Sequence, residues 1–263
     1  MRSLSTNYLQ LRERLIHNIF QIVNNRYVFK NCCIAYSTTA LYILVIIEPM
    51  KDRNLTTIDR ILSGIGYALG TVNSQPIENA RPNPADGIED PPMSDAEKIH
   101  AAGLMRINHA GEIAAQGLYQ GHAAVAQDPS IAQQMKAAAE EERDHLAWCE
   151  QRLVELDSGP STLLPFWYAG SFVLGATSGV LGDKWSLGFI EETERQVSQH
   201  LTTHLEGLPK KDLKSRAIVR QMRDEEEVHG ANAKKAGAEK LPGAVEKLMK
   251  VIAQLMKSTA YHI

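Results

Sequence analysis

Two short patterns in the chain pair a carboxylate with an imidazole three residues on: Glu142-Arg-Asp-His145 and Glu226-Glu-Val-His229. On an α-helix, positions i and i+3 share a face, so both side chains can reach one ion. A single such pattern is weak, and a third copy, Glu97-Lys-Ile-His100, reads as a solvated helix start. The spacing is what carries weight. Glu112 lies 30 residues before Glu142, and Glu194 lies 32 before Glu226. Ligands on antiparallel helices stand at one height only when the turn between them falls midway. The first midpoint, 127, opens the turn QDPS at 127–130, and the second, 210, follows the breakers Gly207 and Pro209. Two hairpins would thus each set one Glu opposite one E-x-x-H. One Glu from each of two helices, with an E-x-x-H from each of the other two, is the ligand set of di-iron and di-manganese carboxylate bundles. Four carboxylates in a core repel one another unless cations sit among them. The mixed imidazole and carboxylate donors favour Fe or Mn over Ca or Mg. The competing reading is a set of solvated acidic helix faces, of which the run EEERD at 140–144 is the best example.

Several neighbours belong to the same argument. Glu191 and Glu192 lie beside Glu194, and Glu225 and Glu227 flank Glu226. Metal-bound imidazoles usually donate their other N–H to a carboxylate, which makes Asp144 and Asp224 candidate partners for the histidines. His109 lies one turn before Glu112. His200 and His204 form an i,i+4 pair that reads as polar surface more readily than as a zinc site.

The elements that must hold these residues are helical. Ser94 and Glu97 form a capping-box pattern ahead of helical sequence to about Ala126. Asp128-Pro129-Ser130 marks a turn and a new cap, and a second helix runs from about Ile131 to Leu156. Ser158-Gly159-Pro160 breaks it. A third long stretch runs from about Pro165 to Leu205, a fourth from about Asp212 to Ala236, and an amphipathic segment from about Ala244 to Ser258. The expectation is an all-α protein in which two similar hairpins are joined by a long crossover.

Before Ser94 the texture differs. Residues 71–93 are rich in Pro, Asn and Asp and read as a linker; 54–70 suggest a short amphipathic helix. Gly64, Gly66 and Gly70 miss the spacing of a dinucleotide fingerprint, and no strand precedes them. Residues 1–49 read as a leader: a signal anchor, a buried helix, or upstream translation with Met50 as the true start. The division expected is 1–49 leader, 50–93 N-terminal segment and linker, and 94–263 the metal-binding bundle. The 263-residue chain is 44% hydrophobic and 22% charged, with net charge −3. That charge argues against a nucleic-acid partner. Cys32, Cys33 and Cys149 show no disulfide or zinc spacing.

Four segments bring a family into view: LMRINHAGEIAAQGLYQG at 104–121, AAAEEERDHLAWCEQRL at 137–153, LGDKWSLGF at 181–189 and KSRAIVRQMRDEEEVHGANA at 214–233. They closely resemble the demethoxyubiquinone hydroxylase family, also called the ubiquinone biosynthesis protein Coq7 family. The similarity runs from about Ala96 to the C-terminal KSTAYHI; residues 1–93 match loosely or not at all. The resemblance implies a ferritin-like four-helix bundle with additional interfacial and terminal helices. It implies two iron ions per chain, held by Glu112, Glu142, His145, Glu194, Glu226 and His229, and it selects Glu194 over Glu191 and Glu192. The implied reaction is O2-dependent hydroxylation of a polyprenylated methoxy-benzoquinone ring, one oxygen atom entering the ring and the other leaving as water. No flavin, nicotinamide or rubredoxin-like pattern is present, so electrons would come from an unidentified donor.

A lipid substrate agrees with the stretch from Ser158 to Gly182, which carries no charge. It reads as a face lying in the bilayer interface, against the alternative of a buried core helix. Val245, Leu248, Val251, Ile252, Leu255 and Met256 form a second apolar face beside Lys247, Lys250 and Lys257. The expected partners are a membrane lipid surface, a prenylated quinone and other ubiquinone-biosynthesis proteins; the expected location is peripheral, on the cytoplasmic face of the cell membrane. The rival readings are a ferritin-like iron-storage or ferroxidase protein and a membrane scaffold. The uncharged stretch, the lack of extra acidic clusters and the intact ligand set speak against them.

Overall fold

A computed structural model describes residues 81–263. The leader, the Met50 start and the 54–70 helix lie outside the described residues, as does the part of the linker before Arg81. Six helices follow in order: α1 Asp95–Val125, α2 Pro129–Glu155, α3 Leu164–Val180, α4 Asp183–Gly207, α5 Leu213–Lys235 and α6 Gly243–Ala260. No strand occurs among the described residues. The predicted all-α, ferritin-like bundle is what the chain forms: α1 pairs with α2, α4 pairs with α5, and α3 crosses between the two hairpins.

The helix starts follow local chemistry. Ser94 accepts a bond from the Glu97 amide while the Glu97 carboxylate accepts from the Ser94 amide, so α1 has its predicted capping box. The second helix begins two residues earlier than expected. Asp128 is the cap, its side chain accepting from the Ser130 amide, and Pro129 takes the first helical position, where a missing N–H costs nothing. Asp212 caps α5 by accepting from the Ser215 amide at 2.8 Å.

The predicted single stretch 165–205 is two helices. The break comes at Leu181-Gly182, where Gly182 adopts φ +122, a conformation that L side chains rarely take. Asp183 then accepts from the Gln127 and Asp128 amides, tying the start of α4 to the α1–α2 turn. The crossover is therefore α3 alone, and α4 is free to set its own direction.

α3 lies unusually close to α1. A Cβ added at Gly121 would collide with the Phe172 carbonyl, and one at Gly175 with the Leu118 carbonyl. Glycine at both positions lets the two backbones touch. Beyond that crossing, the inner face of α3 buries Leu164, Trp167 and Tyr168, while Phe166, Val173, Val180 and Leu181 stay exposed. At one end of the bundle Met105, Leu146, Cys149, Leu153, Leu201, Ile218 and Met222 fill the core. Arg152, 3% exposed, is buried there with Asp212, Asp90 and Ser215 as partners. No described helix is long and apolar enough to cross a membrane.

Candidate metal centre

The four bundle helices each send an acid inward near mid-length, as the spacing argument requires. Glu112 of α1, Glu142 of α2, Glu194 of α4 and Glu226 of α5 are all buried, none more than 3% exposed. Glu112, Glu142, His145 and Glu226 each offer a ligand atom within 4.8 Å of the others. His145 Nδ1 lies 2.8 Å from Glu142, 3.1 Å from Glu226 and 3.8 Å from Glu112. His229 Nδ1 lies 3.0 Å from Glu142 and 3.2 Å from Glu226. Glu194 stands outside the tight group of four, faces Glu226, and accepts a hydrogen bond from the Tyr119 hydroxyl.

The donor set fits metal ions. Both oxygens of Glu142, one of Glu226 and Nδ1 of His145 are fully buried without hydrogen-bond geometry, although they crowd one another. Buried polar atoms are normally paired. Donor atoms that converge in a dry interior are arranged around positive charge. The electrostatics agree. Burial pushes the Glu112 carboxyl up to about 8 and the Glu194 carboxyl well above its usual range. Burial opposes charge on the two imidazoles, yet the facing carboxylates outweigh it and raise His229 to about 11 and His145 well above its ordinary value. Protons hold the cluster together where cations would otherwise do so.

The outer nitrogens of the histidines also find carboxylates, but not the predicted ones. His145 Nε2 meets Glu225 at 2.7 Å, and His229 Nε2 meets Glu141 at 2.9 Å. Asp144 instead binds Arg81, and Asp224 pairs with Arg223. The reason is register. The partner of a ring nitrogen that points across to a neighbouring helix must come from that helix, and Glu225 of α5 reaches the α2 histidine while Glu141 of α2 reaches the α5 histidine. Glu225 was marked from sequence only as a neighbour of Glu226, and Tyr119, Glu141 and Arg81 were not singled out; Glu141 carried the same signal as Glu225, an acid beside a cluster carboxylate on the facing helix.

The other histidines depart from expectation in different ways. His109 is buried with Nδ1 unpartnered and its pKa lowered to about 4 by burial. His200 and His204 are not polar surface. Their rings lie 5.0 Å apart, His204 is bonded to Asn108 at 2.7 Å, and burial lowers both pKa values, to about 3 and about 4. His100 bonds Tyr261 and the Gly207 carbonyl, tying α1 to the C-terminal segment. Glu191 lies near Lys234, and Glu192 is held by Arg195 and Gln196, so neither takes the place of Glu194.

Two cavities flank the centre. An apolar groove of about 350 Å³ is lined by Gly111 and Ala115 of α1, Trp167 and Leu174 of α3, Thr193 and Val197 of α4, and Ile252 and Met256 of α6. Gly111 and Thr193 are the chain neighbours of Glu112 and Glu194, so the groove runs along the stretches of α1 and α4 that carry those carboxylates, although none of the six cluster residues lines it. A second cavity of about 240 Å³, between Tyr119, Met135, Leu187 and Ala233, reaches His229, the one cluster histidine with solvent exposure.

A family described as ubiquinone biosynthesis protein COQ7 matches residues 99–260. The chain is similar to proteins named 3-demethoxyubiquinol 3-hydroxylase. The one from Laribacter hongkongensis is 50% identical over 206 residues, 78% of this chain and 100% of the relative. That from Ralstonia pickettii is 48% identical, covering 81% of this chain and all of the relative. That from Xanthomonas campestris pv. campestris is 52% identical over 78% of this chain and 94% of the relative.

Proposed function

We propose, from the premise that the chain belongs to the ubiquinone biosynthesis protein COQ7 family, that it hydroxylates a demethoxyubiquinol-type ring in ubiquinone biosynthesis. It is an enzyme, a hydroxylase; the iron-storage alternative is not favoured by what the relatives are named. The observation that carries the reading is the buried cluster of Glu112, Glu142, His145 and Glu226, whose donor atoms converge without hydrogen-bond partners.

The finer reading is a pair of irons held by Glu112, Glu142, His145, Glu194, Glu226 and His229. Bound there, they would supply the chemistry that activates O2. The chain's own residues do the rest. Glu225 and Glu141 hold the outer nitrogens of the two imidazoles, which keeps both Nδ1 atoms turned inward. Tyr119 donates to Glu194 and restrains that carboxylate. The groove walls exclude water and receive a ring with its prenyl tail, the ring beside the α1 and α4 carboxylates and the tail toward α3 and α6.

Attachment to the cytoplasmic face of the cell membrane belongs to the same proposal. Phe166, Val173 and Val180 of α3 and Leu248, Val251 and Leu255 of α6 are exposed apolar side chains on the two helices that also contribute Leu174 and Ile252 to the groove. Lys247 and Lys250 lie on α6 for anionic headgroups. The test is a quinone extract from cells lacking the gene, paired with a metal count on the purified chain. Accumulation of the demethoxy quinone, reversed by wild type and not by Glu142→Ala, with about two irons per chain, is the expected result. Normal ubiquinone levels in the deleted strain would overturn the substrate.

A further inference from the structure

The segment ahead of α1 is more than a tether. Residues 81–92 contain Pro82, Pro84, Pro91 and Pro92, which cannot donate backbone bonds and keep the chain out of a helix. The segment is fastened to α2 and α5. At its far end Asp90 accepts from the Lys214 amide at 3.0 Å and from Arg152 at 2.5 Å. Asn83 donates to Gln151 at 2.9 Å. At the near end everything converges on Arg81. Its amide donates to Asp144 at 3.0 Å, its carbonyl accepts from the Trp148 indole at 3.2 Å, and its guanidinium lies 5.0 Å from the Trp148 ring.

The fork of that guanidinium is aimed at the metal centre. Both Nη atoms donate to the two oxygens of Glu225 at 2.8 Å each, and Nε binds Asp144. Glu225 in turn accepts from His145 Nε2 at 2.7 Å. A bidentate pair fixes a carboxylate in plane and direction, which a single bond does not. The other histidine has no such backing: its outer partner Glu141 is 60% exposed, and the second cavity opens beside it. The cluster is thus braced on the His145 side and open on the His229 side.

We propose that Arg81 is a positioning residue of the metal centre: through Glu225 it locks the His145 ring with Nδ1 turned to the buried carboxylates, and it makes the ion held with His145 the slower of the two to leave. This rests on the two-ion reading above. Removing a carboxylate bonded directly to a ligand histidine, as Glu225 is to His145, typically changes metal affinity about 10- to 100-fold, and Arg81 acts through that carboxylate, so about tenfold is the scale expected of it.

The experiment loads the purified full-length chain with Co(II) without oxygen and follows release into excess chelator by absorbance. Wild type is expected to release two ions in two phases, the slower by about tenfold or more. Arg81→Gln should speed the slow phase about tenfold and leave the fast phase alone. Arg81→Lys, which keeps the charge without the fork, should lie between. Asn83→Ala loosens the same segment without touching the fork and should leave both phases unchanged. Thermal unfolding of each metal-free variant checks that the bundle is intact. An unchanged slow phase in Arg81→Gln, equal acceleration of both phases, or a single wild-type phase for both ions overturns the assignment to Arg81 while leaving the metal pair standing. A wild-type chain that binds fewer than two ions overturns the pair itself and this inference with it.

Discussion

Glu192 and Glu194 are two positions apart on α4 and point to different surroundings, because two residues turn a helix through about 200°. Glu192 is engaged by Arg195 and Gln196, whereas Glu194 faces Glu226 and the Tyr119 hydroxyl in the buried cluster. On the proposed two-iron reading, Glu194→Ala should lower hydroxylation more than about 100-fold, while Glu192→Ala should stay within a few-fold. A quinol turnover assay on both variants checks this, and equal losses would mean that the α4 register is misread. The cluster's proton content leads to a second expectation. Glu112 is raised to about 8 and His229 to about 11, so near neutral pH the metal-free centre holds protons that metal must displace. Metal affinity should therefore rise as pH rises from about 6 to 9. For the metal-free fold the sign is opposite. A group whose pKa is raised on folding binds more protons folded than unfolded, so its stabilisation is lost as pH climbs through the folded value. Thermal unfolding of the metal-free chain should show Tm falling from about pH 5 toward 8, the window of Glu112, with the His229 contribution fading above that. A flat profile would contradict the proton-held cluster.

Among the elements, the α1–α3 crossing is a fit of backbone against backbone. Gly121 and Gly175 each meet backbone of the opposite helix, which cannot retreat as a flexible side chain would. Gly121→Ala should cost about 1–3 kcal/mol, read as a Tm lower by several degrees in the metal-free chain. Because α3 forms a wall of the groove, the same variant should also weaken quinol binding more than metal binding. Gly111→Ala, where an added Cβ meets nothing within 4 Å, is the matched control and should be tolerated in stability.

At the scale of the whole molecule, the bundle separates its two tasks by face. The acids point to the common axis of α1, α2, α4 and α5, while α3 and α6 turn apolar side chains outward around the groove. If that face meets a bilayer, charge placed on it should detach the chain. Val251→Glu with Leu255→Glu should reduce co-sedimentation with anionic vesicles at least several-fold, at about 1.5–3 kcal/mol for each apolar side chain denied burial. Turnover of a short-chain, water-soluble quinol should persist in this variant while turnover of a long-prenyl substrate falls. Equal loss of both would place the two residues in the fold instead of on a docking face.

The sequence by itself determined the helical class, the two hairpins and the height at which six ligand-type residues stand, because helical period and mid-turn spacing are local properties of the chain. Ser94, Glu97, Asp128 and Asp212 announced their helix ends for the same reason. What tertiary structure decided was everything that crosses between helices. Glu225 and not Asp144 supports His145, Glu141 and not Asp224 supports His229, and His200 and His204 turn inward, because rotation about the helix axis is set by packing partners far away in sequence. The break at Gly182 was open to a reading of the sequence, since Gly-Asp between apolar runs is a helix end, but only its φ of +122 separates α3 from α4. Arg81 lay furthest from view: its acceptors Asp144 and Glu225 are 63 and 144 residues along the chain, and no local pattern joins them.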